Sequence, residues 1–170
     1  MSKTHIIRRG LNLPIVGEPS QKLDLTEFVR SFALSPSDYI NLNPKLIVKV
    51  GDKVRAGDCI FHDKSNDNIR VTSPISGEIS AIERGPKRRL DRIVIRSDEK
   101  CEYVDFGKEF SADKESTQNK LLLSGAWTLI QMRPYGCIAN PNDTPKAIFV
   151  NGMNSSPLAP KTSISLKGRE

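Results

Sequence analysis

Between Leu42 and Asp98, apolar and polar residues alternate in short runs broken by glycine. Leu46, Val48 and Val50 alternate with Lys45 and Lys49. This is the period of two expected of a half-buried strand, whose successive side chains leave opposite faces. Gly51-Asp52 and Gly57-Asp58 supply turns, and CIF (59–61) predicts a second strand. Asn66-Asp67-Asn68 reads as a polar tip, IRVT (69–72) as a third strand, Ser73-Pro74 as a corner and Ser76-Gly77 as a turn. EISAIE (78–83) predicts a fourth strand and RIVIR (92–96) a fifth, joined by the basic turn GPKRR (85–89). Short strands separated by such turns indicate a sandwich or barrel. VKVGDKVRAGDCI and VTSPISGEISAI each run strand, turn, strand. Two such halves must interlock, because a lone hairpin is marginal in water.

The flanks follow other patterns. GLNLPIVGEP (10–19) reads as an extended, turn-rich arm. LDLTEFVRSFAL (23–34) mixes the helical and strand periods and leaves both open until Ser35-Pro36 ends it. Past Asp98 the chain turns polar, and YVDFGKEFSADKESTQNK reads as a linker. LLLSGAWTLI (121–130), with the polar residues before it, predicts a helix of about three turns. MRPYGCIANPNDTP is a proline-rich loop. KAIFVNGM (146–153), with four apolar residues in a row, predicts a buried strand of a parallel sheet. The expected fold class is mixed α/β: an arm at 1–41, a β-rich barrel-sandwich hybrid at 42–98, a linker at 99–116, and the start of a truncated, Rossmann-like α/β domain at 117–170. One helix and one strand do not close a doubly wound sheet. The chain is therefore expected to be the front part of a longer protein, or to lean on a partner.

Composition adds mostly exclusions. With 37% hydrophobic and 27% charged residues the chain is ordinarily globular. No apolar run approaches the ~18 residues of a membrane span, and MSKTHIIRRG lacks the apolar core of a signal peptide. The expected compartment is the cytoplasm. Cys59, Cys101 and Cys137 are odd in number and form no C-x-x-C, which argues for reduced thiols over a disulfide framework, zinc ribbon or iron–sulfur site. His5 and His62 are the only histidines, too few for a metal triad without distant carboxylates. His62 and Asp63, as strand neighbours, should point to opposite faces and so not act as an acid–base pair. No catalytic, cofactor-binding or metal-ligating residue is assigned. The net charge of +6 is spread thinly, with its densest run at Arg84, Lys87, Arg88, Arg89 and Arg92. No aromatic residue interleaves with that run, so a nucleic-acid stacking platform is not expected. These five residues are the candidate contact with a partner protein or with anionic lipid headgroups; the blander reading is a solvated hairpin tip.

VKVGDKVRAGDCIFHDK followed by TSPISGEISAI resembles the biotinyl and lipoyl carrier family. In that family a lysine on a protruding hairpin carries a swinging arm, and Lys64 sits near the position. Ser65 follows it where lipoyl domains have Asp-Lys-Ala, and the Met-Lys-Met of a biotin site is absent. The expected state is an unmodified Lys64 in a reused fold; the alternative is a carrier domain with Lys64 modified.

Over nearly the whole chain, GLNLPIVGEP, the sandwich, RGPKRRLDRIVI and LLLSGAWTLIQMRPYGCIANPNDTPKAIFVNGMNSSPLAP follow in order. This resembles the amino-terminal portion of the NqrA family, one of the subunit families of sodium-translocating NADH:quinone reductase. It is more distantly similar to the C subunit of ferredoxin:NAD oxidoreductase and the flavin-bearing subunit of respiratory complex I. The resemblance implies a cofactor-free accessory subunit of a sodium-pumping NADH:ubiquinone oxidoreductase. It would be peripheral on the cytoplasmic face of the bacterial inner membrane and have no catalytic centre of its own. NADH, flavins, iron–sulfur and quinone would be handled elsewhere in the complex. The implied partners are the other subunits, chiefly the integral-membrane quinone-side one. A contribution to quinone binding is implied without an assignable residue, and no nucleic acid is expected. Flavin-bearing relatives use a glycine-rich loop whose backbone N–H groups approach a phosphate. The corresponding stretch here, 124–134, keeps only Gly125. Trp127, Leu129 and Met132 are expected to fill the space, Trp127 and Met132 as core packing, and Pro134 has no N–H to offer. No G-x-G-x-x-G follows a strand, so no NADH site is expected.

Overall fold

A computed structural model of the chain describes residues 14–20, 22, 29–107, 113–151, 156, 158–160 and 163. Among them the strands are β1 (Ser31–Leu34), β2 (Pro44–Leu46), β3 (Lys53–Val54), β4 (Cys59–Asp63), β5 (Arg70–Thr72), β6 (Gly77–Arg84), β7 (Leu90–Ser97), β8 (Gln131–Met132) and β9 (Cys137–Ile138). The helix α1 spans Lys114–Leu123. All of these lie in one compact unit, residues 27–144; the other unit is 1–26 with 145–170.

Two antiparallel sheets make the sandwich, one ordered β1-β7-β6-β3 and the other β2-β4-β5. The two halves expected from the sequence do interlock. β3 of the first half joins the first sheet beside β6, and β5 of the second half joins the second sheet beside β4. Each half thereby completes the other's sheet. Both inner faces meet in one core of Leu34, Val54, Ile60, Phe61, Val71, Ile79, Leu90, Ile93 and Ile95. Phe61 meets the ring of Tyr39 edge-on at 5.9 Å. Burying each large side chain is worth about 1.5–3 kcal/mol, so these few residues carry most of the driving force.

Two irregularities make the core possible. In a regular strand Ile79 and Ile82, three apart, would face opposite ways. The register slips between Ile79 and Ala81, leaving Ser80 as the extra residue of a β-bulge. Ile79 then sits opposite Ile95, and Ile82 opposite Ile93, so both turn to the core. A second slip between Cys59 and Phe61 lets adjacent Ile60 and Phe61 both be fully buried.

Several sequence expectations shift. The alternation predicts a first strand through Leu46, Val48 and Val50, but β2 ends at Leu46. Beyond it the chain is drawn into a turn: the Asp52 carboxylate accepts the Lys49 amide at 2.7 Å, and Val50 is exposed. Of the undecided run 23–34, residues 23–28 lie outside the described residues. Ser31–Leu34 is a strand paired with β7. After Asp98 the chain runs as a strap: Ala56 donates to Glu102 O, and Val104 donates to Ala56 O. The helix expected over 121–130 and the polar residues before it begins in those polar residues, at Lys114, and stops earlier than expected, at Leu123. Asp113 caps it by accepting the Ser116 amide at 2.8 Å, and Gly125 in the left-handed conformation ends it. A 3-10 turn, Ala126–Leu129, follows. The strand expected at 146–153 is corrected over its described part. Residues 146–151 pair with no other strand among the described residues, and Ile148, Phe149 and Val150 are 77%, 91% and 92% exposed. A strand exists only by its ladder, and the apolar run alone does not supply one.

Candidate functional site

The five basic residues singled out from the sequence come together at the tip of the β6–β7 hairpin, and all five are exposed. Pro86–Arg88 form a 3-10 turn, closed by Gly85 N donating to Arg89 O at 2.8 Å. Lys87 and Arg88 both adopt positive φ, at 56° and 61°. Acidic residues offset part of the charge. Arg89 Nε donates to Asp91 Oδ1 at 2.8 Å, and Arg92 lies across the ladder from Glu83. Arg84, Lys87 and Arg88 have no acidic partner within 4.0 Å among the described residues.

Lys64 is exposed but sits on the shoulder of the β4–β5 connection, one residue past β4, where its amide donates to Asn43 O at 2.8 Å. The tip itself is Asn66-Asp67-Asn68, folded by the Asn66 side chain accepting the Asn68 amide. His62 and Asp63 are both buried and serve different partners. His62 Nδ1 lies 3.0 Å from Asp63 O and 3.2 Å from Asp67 Oδ1. The Asp63 carboxylate accepts the amides of Asn43 and Ser65. The two side chains therefore stabilise the loop rather than one another. Beside this tip lies a cavity of about 350 Å³, lined among others by Ile40, Leu42, Asp63, Asn66, Cys137 and Asn140. Its residues come from three separated stretches, and no spacing in the sequence groups them. Several of its amides are already engaged in turns, as where Asn140 Oδ1 accepts the Asn142 amide.

The stretch 124–134 is arranged differently from the sequence expectation. Gly125 (φ 76°) lies against β5, where an added Cβ would stand 2.7 Å from Thr72 Oγ1 and 3.2 Å from Arg70 O. Thr72 Oγ1 also donates to Ser124 O. The one glycine of the stretch is thus used for close packing, and β5 occupies the space in front of it. Trp127 is half-buried and anchored by its Nε1 donating to Ala139 O at 2.7 Å. Leu129 is 82% exposed and Met132 37%, which corrects the expectation that Leu129 helps fill the space a flavin needs and that Met132 packs in a core. The helix that would have turned them inward has already ended at Gly125.

The perturbed carboxyl groups lie in turns. The Arg55 guanidinium, bonded to Asp58, holds that carboxyl below its ordinary range. The Ser76 hydroxyl, donating to Asp98 Oδ1 at 2.7 Å, does the same for Asp98, helped by the Lys100 amide. Burial pushes the Cys59 thiol up. No group of three or more His, Cys, Asp or Glu residues that could hold a metal occurs among the described residues. No helix among them is long and apolar enough to cross a membrane.

Comparison with known proteins matches both parts of the chain. Residues 5–98 match the family described as the NqrA N-terminal barrel-sandwich hybrid domain. Residues 112–170 match the NqrA second alpha/beta domain. The chain is 37% identical over 169 residues to the A subunit of the Na(+)-translocating NADH-quinone reductase of Alcanivorax borkumensis, covering 96% of this chain and 38% of that protein. It is 39% identical over 168 residues to the corresponding protein of Pseudomonas aeruginosa, covering 95% and 38%. With that of Saccharophagus degradans it is 40% identical over 157 residues, covering 90% and 35%. The chain therefore spans under two-fifths of the length of these relatives.

Proposed function

The chain belongs to the NqrA family, the A subunits of the Na(+)-translocating NADH-quinone reductase, and from that premise we propose that it serves as a cofactor-free accessory part of the complex. In this reading it docks peripherally on the cytoplasmic face of the membrane, against the other subunits, chiefly the integral-membrane quinone-side one. Redox chemistry and the ion path lie in those subunits. Any share in quinone binding is a property of the assembled complex. The observation that carries the reading is that the match is collinear over 96% of the chain and crosses both family domains. The packing of Gly125 on Thr72 supports the absence of a flavin site at 124–134. The exposed β6–β7 tip, with Arg84, Lys87, Arg88, Arg89 and Arg92, is the proposed point of contact between the chain and its membrane surroundings.

The test uses the full-length gene product in its native membranes. It should co-purify with the other reductase subunits and remain pelleted through a concentrated-salt wash, because contacts of standard size, about 1,600 Å², survive salt. Complete release, or failure to pellet with those subunits, sinks the reading. The carrier alternative draws on Lys64 being exposed beside the β4–β5 tip. Intact mass of the native protein decides it: no lipoyl or biotinyl increment is expected at Lys64, and finding one would promote that alternative.

A further inference from the structure

We infer that the β6–β7 tip is a docking surface for an anionic lipid bilayer. The inference rests on the proposed reading only in placing the chain at a membrane, since translocating an ion requires one. Three observations at the tip carry it.

The first is an excess of uncompensated charge. Asp91 engages Arg89, and Glu83 faces Arg92, yet Arg84, Lys87 and Arg88 are exposed without an acidic partner among the described residues. The second is the backbone. Lys87 (φ 56°, ψ 29°) and Arg88 (φ 61°) occupy the left-handed region in succession. Side-chain-bearing residues adopt that region at a cost that glycine avoids and asparagine reduces. Two cations stand where turn chemistry favours Gly or Asn. Strain of this kind persists at sites where the side chain serves another purpose. The third is the absence of an anchor. None of residues 83–92 is an exposed large hydrophobic, and Leu90 is buried. Protein interfaces concentrate aromatic and Met residues at their cores and deplete charge there. A headgroup layer needs neither, because point charges near an anionic surface are attracted without insertion.

The experiment is flotation of the chain with vesicles of phosphatidylglycerol and phosphatidylcholine, beside vesicles of phosphatidylcholine alone, at about 50 mM and about 500 mM NaCl. Binding is expected only to the anionic vesicles and only at the lower salt. The double variant Lys87→Gly/Arg88→Gly should weaken binding about 25-fold, at about five-fold per cation. Its thermal midpoint should be unchanged or raised, because glycine relieves the left-handed backbone. Unchanged binding by this variant would show a purely structural turn and overturn the proposal. Lys87→Arg/Arg88→Lys should bind like the parent chain. Lys45→Ala/Lys49→Ala removes the same net charge from another part of the surface and should cost less than about three-fold. Equal binding to neutral vesicles, no loss at high salt, or an equal loss from the Lys45 and Lys49 pair would each overturn the proposal. So would binding to soluble poly-glutamate without binding to vesicles. Vesicle binding is read on the chain alone and co-purification on native membranes, so the failure of either reading is distinguishable from that of the other.

Discussion

Deleting Ser80 from the middle of β6 should leave the protein folded, whereas deleting Val94 from the facing strand should not. A one-residue deletion in a strand normally flips every later side chain to the other face. β6 is the exception because Ser80 is already surplus. Ile79 pairs with Ile95, Ala81 with Val94 and Ile82 with Ile93, so removal of Ser80 joins residues whose partners are already consecutive. Ile79 and Ile82 keep their inward places and Ala81 stays between them. The deletion removes one hydrogen bond, from the exposed Ser80 hydroxyl to Val94 O at 3.1 Å. Adding a modest change in local twist, the expected cost is about 0.5–1.5 kcal/mol. Val94 sits in a regular stretch of β7, laddered to β1 on one side and β6 on the other. Removing it makes Ile93 and Ile95, both fully buried, adjacent, and one of them must turn outward. Exposing such a side chain forfeits about 1.5–3 kcal/mol, and the cavity left behind raises the loss to about 3–5 kcal/mol. Arg92 or Arg96 is also driven toward the core, where an unpaired charge costs several kcal/mol more. A domain is stable by only about 5–15 kcal/mol, so the Val94 deletion should approach or cross the unfolding threshold. Urea titration followed by far-UV circular dichroism measures both variants. If the Ser80 deletion costs as much as the Val94 deletion, Ser80 is not a bulge residue and the argument for how Ile79 and Ile82 share the core fails.

Three further outcomes are expected. Gly125→Ala must place a side chain at φ 76° and press its Cβ on Thr72, so urea stability should fall by about 1–3 kcal/mol; a loss below about 0.5 kcal/mol would contradict the close packing on β5. Asp98 has its folded pKa lowered by Ser76, so its contribution to stability is present above the unfolded value of about 3.9 and lost as pH falls through the folded value. The difference in urea midpoint between the parent chain and Asp98→Ala should therefore narrow between about pH 5 and about pH 3, and a constant difference would show that the Ser76 bond does not perturb the carboxyl. Finally, a thiol reagent at about pH 8, read by peptide mass mapping, should label exposed Cys101 well before Cys59, whose half-buried thiol holds its proton more tightly; the reverse order would contradict its burial.

Local patterning was enough for β6 and β7, where the strand faces water on one side. Leu90–Ser97 and Gly77–Arg84 were legible because Ile93 and Ile95 alternate with Arg92, Val94 and Arg96, and because glycine marks the turns. The basic tip was legible for the same reason: hairpin ends are polar, and its five cations are close in sequence. The interlocked halves followed from the need of each to cover an apolar face. Long-range pairing decided the rest. Ser31–Leu34 buries little but Leu34, so its strand character comes from β7 and not from its own sequence. The bulges at Ile60 and Ser80 are properties of a pair of strands, and neither sequence alone records which residue is surplus. The end of α1 depended on Gly125 meeting Thr72, residues over fifty positions apart. Ile148–Val150 reads as a core strand from composition alone, and yet an apolar run becomes a strand only where another strand offers its N–H and C=O groups to pair with it.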